Sequence, residues 1–178
     1  MVYATNETKT FLLKEPENLF LSTLRIAVGF IMLWAFLDKL FGLGFSTAPK
    51  DSWINGSSPT LGFLKYGTNP HSPFTSVYSE LAHYTAILDP IYMATLLFIG
   101  LTLISGVGVR IGSIVGIIFL ASIYFSLIPL TNNPIIDKHF MYAIILLMLI
   151  FTNAGRYGWT LGRKWQNLEI VKKYPILK

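Results

Sequence analysis

The chain has 178 residues, 53% of them hydrophobic and only 13% charged, with a formal net charge of +5 and no cysteine. Soluble domains carry about a quarter charged residues, so this deficit, with a mean hydropathy of +0.55, argues against an ordinary water-soluble core and for lipid as the solvent. The lack of cysteine excludes disulfides, cysteine-ligated zinc, iron–sulfur clusters and CxxC thiol exchange, and basic residues gathered at chain ends and turns suit orientation in a membrane rather than nucleic-acid binding.

The first 18 residues are polar, with Lys9, Lys14, Glu15 and Glu17. The apolar run that follows is longer than a signal-peptide core and lacks a small-residue cleavage site, which predicts a retained first span. That span covers about 19–43, enough to cross roughly 30 Å of hydrocarbon. Arg25 lies inside it and Asp38-Lys39 near its far end. Residues 46–89 form a long loop. Its turn formers (Pro49, Asn55-Gly56, Asn69-Pro70) alternate with Trp53, Ile54, Leu61, Phe63 and Tyr66, a composition suited to the bilayer interface. Within it, Ser72-Pro73 reads as an N-cap and first helical position. Phe74, Val77, Tyr78, Leu81, Tyr84 and Leu88 then recur at helical spacing, predicting an amphipathic helix ended or kinked at Asp89-Pro90.

The second span is expected at about 91–106, followed by a tight turn through Gly106 and Gly108 to Arg110. The third covers about 111–128 and stops at Pro129. The fourth covers about 139–154, with Gly155 suited to its C-terminus. The tail, 156–178, has Trp159, Leu161, Trp165, Leu168 and Val171 on one face among Arg163, Lys164, Lys172 and Lys173, which predicts an interfacial helix. The expected fold is all-α: an integral membrane four-helix bundle in one domain, with a long outer loop and both termini cytoplasmic in a multi-pass plasma-membrane protein.

The orientation follows from charge. Lys9, Lys14, Arg110, Arg156, Arg163, Lys164, Lys172, Lys173 and Lys178 belong to one side, against Lys39, Lys50, Lys65 and Lys138 on the other. The richer side is expected to be cytoplasmic. His71, His83 and His139 then face outward with Asp38, Asp51, Glu80, Asp89 and Asp137.

The span ends bring Asp38-Lys39, Asp89 and the polar segment 132–139 together. Asp38, His83, Asp137 and His139 are the candidate proton-handling residues, and Lys39, Lys138, Asn132 and Asn133 the candidate anion-binding ones. Against this, Asp137 has the position of a helix cap, and lysines at span ends snorkel to water. Glu80 and His83 have the i, i+3 spacing of half a di-iron site, but no second such pair exists on a facing helix, so no metal is expected. Arg25 either snorkels or pairs with Glu15 or Glu17, or holds a quinone oxygen or lipid phosphate. Gly112-x-x-x-Gly116, with Gly29 and Gly100, is a helix-packing signal.

Four pieces carry a resemblance to a known family. They are Leu33-Trp34-Ala35-Phe36-Leu37-Asp38-Lys39-Leu40-Phe41-Gly42, Trp53-Ile54-Asn55-Gly56-Ser57-Ser58-Pro59-Thr60-Leu61-Gly62, Asn132-Asn133-Pro134 with Asp137-Lys138-His139, and Ala154-Gly155-Arg156-Tyr157-Gly158. Together, over about 19–165, they resemble the DoxX/DoxD family of four-span membrane proteins. The resemblance implies a membrane subunit of a thiosulfate:quinone oxidoreductase. Such an enzyme oxidises thiosulfate to tetrathionate, passes electrons to a membrane quinone, and works with a second, DoxA-like subunit. It also implies a non-covalent quinone, for which Arg25 and Trp34 are the candidate contacts; the sequence itself shows no metal, haem or flavin motif. The competing expectation is a non-catalytic subunit or assembly factor of a terminal quinol oxidase or another respiratory complex.

Overall fold

A computed structural model describes residues 6–157 and 160–178, and among these there are helices and turns but no strand. The helices are α1 (Asn6–Phe41), α2 (Thr75–Leu81), α3 (Thr85–Ser105), α4 (Val109–Leu127), α5 (Lys138–Phe151), α6 (Thr160–Gln166) and α7 (Glu169–Lys173). Three segments are long and apolar enough to cross a membrane: Glu17–Phe41, Thr75–Ser105 and Val109–Leu127.

α1 packs along α3, α3 along α4 and α4 along α5, and α5 reaches α1. The shared core is aliphatic: Val28 and Met32 from α1, Leu96, Ile99 and Leu103 from α3, Leu120 from α4, Leu146 and Leu149 from α5. Phe30, Leu101, Ile118, Ile144 and Phe151 point outward and are exposed, as expected where the surrounding solvent is lipid. In that solvent apolar burial does not drive helices together, so close backbone approach and dispersion must. Glycine supplies the approach. A Cβ on Gly100 would lie 2.9 Å from the Leu33 backbone nitrogen, and one on Gly29 3.0 Å from that of Ile104. On α4, Gly112 faces Thr102 and Gly116 faces Leu146, so the small-residue spacing serves two neighbours.

The helix ends show where local and tertiary rules part. α1 stops because Gly42 adopts φ +68, with its N–H donating to the Asp38 carbonyl at 2.8 Å. Any side chain there would meet Pro49. The loop helix begins at Thr75 rather than Pro73, and the Ser72 hydroxyl accepts from the Phe74 N–H at 3.2 Å while donating to the Phe125 carbonyl at the end of α4. Nor does the helix end at Pro90. It tightens into a 3₁₀ turn at Ala82–Tyr84 and resumes as α3 through Pro90. Proline removes one hydrogen bond and crowds the carbonyl four residues earlier, and here that disruption falls in the first turns after the break.

α5 is 14 residues long, about 21 Å of helix against roughly 30 Å of hydrocarbon. Its left-handed terminator is Asn153 at φ 53, not Gly155. Gly155 is required instead for contact, since a Cβ on it would lie 2.9 Å from the Gly106 carbonyl oxygen. The tail is two short helices rather than one continuous interfacial helix. It folds back so that the Trp165 indole donates to the Leu177 carbonyl at 2.6 Å and Arg110 to that of Pro175 at 3.0 Å. Trp159 lies outside the described residues.

Replacing Gly100 with Val forces a branched side chain into the α1 backbone and should destabilise the bundle by about 1–3 kcal/mol. Gly62→Ala, which meets open space, should shift stability by less than about 0.5 kcal/mol. Thermal unfolding of the two variants in one detergent checks this.

Candidate functional site

The two ends of the bundle are built differently. At one end Arg25, fully buried, donates to the carbonyls of Gly155 (3.5 Å) and Tyr157 (3.2 Å). Gly106, at φ +80, leaves the room that its guanidinium needs. This end also gathers the 106–108 turn and the folded tail. At the other end lie the loop after α1 and the segment before α5.

Three aspartates hold that second end together. Asp38, 1% exposed, accepts from the Phe45 N–H at 3.2 Å, the Ser46 N–H at 2.9 Å and the Ser46 hydroxyl at 2.6 Å. Asp89, also buried, accepts from the Ser58 hydroxyl at 2.9 Å, the Thr60 hydroxyl at 2.5 Å and the Thr60 N–H at 3.3 Å. Asp137 caps α5 by accepting from the Phe140 N–H at 2.9 Å and takes the His139 ring at 2.5 Å. Each carboxylate fastens a polar turn to a helix. Asn69 does the same for the middle of the loop. Its N–H donates to the Ser126 carbonyl at 3.0 Å and its side-chain amide to that of Pro129 at 2.5 Å. Carbonyls that the end of α4 cannot satisfy within the helix are thus paired by the loop.

The loop fastened in this way encloses two cavities. The first, about 630 Å³, lies among α2, α3 and α4 and is apolar, walled by Phe63, Phe74, Leu88, Tyr92, Phe119 and Phe125. The second, about 1020 Å³, is a mouth that carries Ser46, Asn69, Asn132, Asn133, Lys138 and His139, with Asp137, among apolar Phe63, Ile123, Leu127 and Leu130. Lys39 lines both. Its ammonium is 5.9 Å from the centre of the Tyr92 ring.

The electrostatics of the mouth favour an anion. Among the described residues the single ion pair is Asp137 with His139, so Lys39 and Lys138 have no carboxylate partner there. Positive charge facing a partly enclosed cavity attracts small anions. An ionised carboxylate only accepts, so the His139 Nδ1 must carry the proton that it shares with Asp137. In the neutral ring this leaves the Nε2 lone pair as a base, with the carboxylate ready to stabilise an imidazolium. Burial pushes the Asp137 carboxyl up. The bonds from the Phe140 N–H and from His139, with the attraction of that ring, outweigh burial and hold the carboxyl below its ordinary 3.8.

Of the residues expected to form a site, Lys39, Asn132, Asn133, Asp137, Lys138 and His139 line the mouth. Part of Asn133 is already engaged, its carbonyl oxygen accepting from the N–H groups of Ile135 and Ile136. Asp38 is turned away onto the 45–46 turn. His83 is exposed and lines neither cavity, as is Glu80. Arg25 is at the opposite end, bonded to backbone carbonyls. Trp34 packs edge-on against Phe45 at 5.1 Å and lines neither cavity. Sequence reasoning did not select Tyr92 or the other aromatic walls. A polar-tipped ring inside an otherwise apolar span was the available signal for Tyr92. No protein-family model, curated protein or solved structure matches the chain.

Two outcomes test these assignments. Arg25→Met leaves the Gly155 and Tyr157 carbonyls unpaired and should cost about 1–3 kcal/mol of stability, read by thermal unfolding. For Asp137, a folded-state pKa below the unfolded value means stability that is fully present above pH 3.8 and is lost as pH falls through the folded value. Asp137→Ala should lower stability near neutral pH by about 1 kcal/mol through loss of the cap. The gap from wild type should narrow on acidification below that value in an unfolding series against pH.

Proposed function

We propose that the chain is a DoxD-like membrane subunit of a thiosulfate:quinone oxidoreductase, with its polar mouth facing outward from the plasma membrane. The observation that carries this reading is the mouth itself. It has two lysines that form no ion pair among the described residues, and beside them a histidine whose Nδ1 is held by Asp137 and whose Nε2 makes no hydrogen bond among those residues. The fit to a small dianion such as thiosulfate is electrostatic. Lys39 and Lys138 supply charge, and Asn132 supplies amide donors.

In the proposed reaction two thiosulfates each give up one electron and join through a new S–S bond as tetrathionate. One quinone accepts the two electrons and two protons. His139, poised by Asp137, serves as a proton carrier between outside water and the quinone oxygens. A DoxA-like second subunit completes the enzyme in this reading.

The membrane arrangement belongs to the same proposal. Besides the three long apolar helices, α5 leads from Asp137 at the mouth to the Gly155 turn beside Arg25. It therefore connects the same two ends of the bundle as its neighbours, and we read it as a short fourth span. The even count, with nine basic residues of the chain arms, the 106–110 turn and the tail against four on the mouth side, supports cytoplasmic termini.

Thiosulfate-dependent reduction of a soluble quinone analogue, by the chain with its partner subunit, tests the reading. His139→Ala should lower turnover by about 10²-fold or more, and Lys138→Ala should raise the thiosulfate KM about tenfold, both with complex yield retained. Unchanged turnover in both variants would instead support a non-catalytic subunit or assembly factor of a respiratory complex.

A further inference from the structure

We infer that the 630 Å³ cleft among α2, α3 and α4 is a binding site for a quinone-class ligand, a flat ring with carbonyl oxygens and a hydrocarbon tail, whose oxygen is received by Lys39. The inference rests on the proposed quinone chemistry for its relevance, but its structural argument is separate. It also moves the acceptor site away from Arg25 and Trp34, to the opposite end of the bundle from Arg25.

Three observations converge on this occupant. First, the size falls in the range of about 300–1,000 Å³ typical of small-molecule sites. The cleft lies between segments that are themselves apolar enough to be in the bilayer, so an apolar ligand reaches it from lipid. Second, the walls are aromatic. Phe74 and Phe125 meet edge to face at 5.8 Å, and Tyr92 and Phe119 lie tilted at 5.6 Å, presenting ring faces and edges that suit a planar ring better than a flexible acyl chain. Third, the cleft offers few uncommitted hydrogen-bond donors. The hydroxyls of Thr60, Tyr78, Thr95 and Ser122 all donate to protein oxygens. Among the described residues the Lys39 ammonium and the Tyr92 hydroxyl have no such acceptor, and the ammonium lies 5.9 Å from the Tyr92 ring. An acceptor oxygen on the ligand would find the Lys39 ammonium without a competing protein acceptor.

Lys39 also lines the anion mouth. The donor and acceptor sites therefore share one side chain, and a ring bound in the cleft would present its oxygen toward the mouth. Lys39 is a positioning and specificity residue for both ligands in this arrangement.

The experiment is photolabelling of the full chain in lipid nanodiscs with an azido-benzoquinone bearing a ten-carbon tail, with labelled peptides identified by mass spectrometry. Label should fall on Phe63, Phe74, Leu88, Tyr92, Phe119 or Phe125. It should be displaced by a decyl-tailed benzoquinone but not by an equal concentration of a saturated fatty acid. Lys39→Met, which keeps the stem length and removes the charge, should reduce labelling about tenfold, and Leu88→Trp should block it by filling the cleft. Equal displacement by the fatty acid would show a lipid-chain site and overturn the inference, as would label at Arg25 or Trp34, or undiminished labelling of Lys39→Met. The wild-type label map decides even where a variant folds poorly. Labelling of the cleft without any thiosulfate-dependent quinone reduction would keep this inference and remove the proposed reaction. Reduction with label elsewhere would do the reverse.

Discussion

Asp38 sets the geometry of the whole mouth. Its carboxylate is buried at the last turns of α1 and accepts three hydrogen bonds from Phe45 and Ser46. A buried carboxylate left unpaired would be costly, so the chain after α1 must curl back over it, and Gly42 permits the reversal. On a helix, adjacent residues point about 100° apart. With Asp38 committed to the turn, Lys39 is aimed into the space that the loop then covers. Asp38 and Lys39, adjacent in the sequence, therefore face different parts of the fold.

The same separation of charges recurs around the site. Asp89 is occupied by Ser58 and Thr60, and Asp137 by the start of α5 and by His139. Asp38 and Asp89 are satisfied by neutral donors on the loop, and Asp137 by the first turn of α5. The lysines remain to give the mouth its potential, which is stronger in a partly desolvated cavity than in open water. The loop itself contributes little apolar core. Its position depends on these acceptors and on the carbonyls at the end of α4 that receive Asn69, Ser72 and Tyr78.

The opposite end has a contrasting design. Arg25, buried without a carboxylate partner among the described residues, bonds to backbone oxygens of the 155–157 turn and fits against Gly106. Gly106 and Gly155 approach so closely that neither tolerates a Cβ. That packing, with the tail folded beneath α4, anchors the helices at one end, while the loop forms an enclosure at the other. Among the described residues, lysines outside any ion pair, a histidine and a cavity coincide at the enclosure.

The sequence by itself determined the class. Long apolar runs and few charges specify helices in lipid, because such a composition has too little polar surface for water. Side-chain spacing also determined local chemistry: Asp137 two residues before His139 and three before Phe140 is enough to specify a cap, and small residues at Gly29, Gly100, Gly112 and Gly116 mark close helix approach. Only the tertiary structure decided what depends on residues distant in the chain. It placed Arg25 on the Gly155 and Tyr157 carbonyls and moved the helix break from Pro90 to Ala82–Tyr84. It gave the left-handed position at the end of α5 to Asn153 and set Gly155 against Gly106. It also set Lys39 between an aromatic cleft and a polar mouth. The physical reason is that a helix propensity or a cap is settled within one turn of chain, whereas a carboxylate's partner and a lysine's direction depend on which loop the fold brings against them.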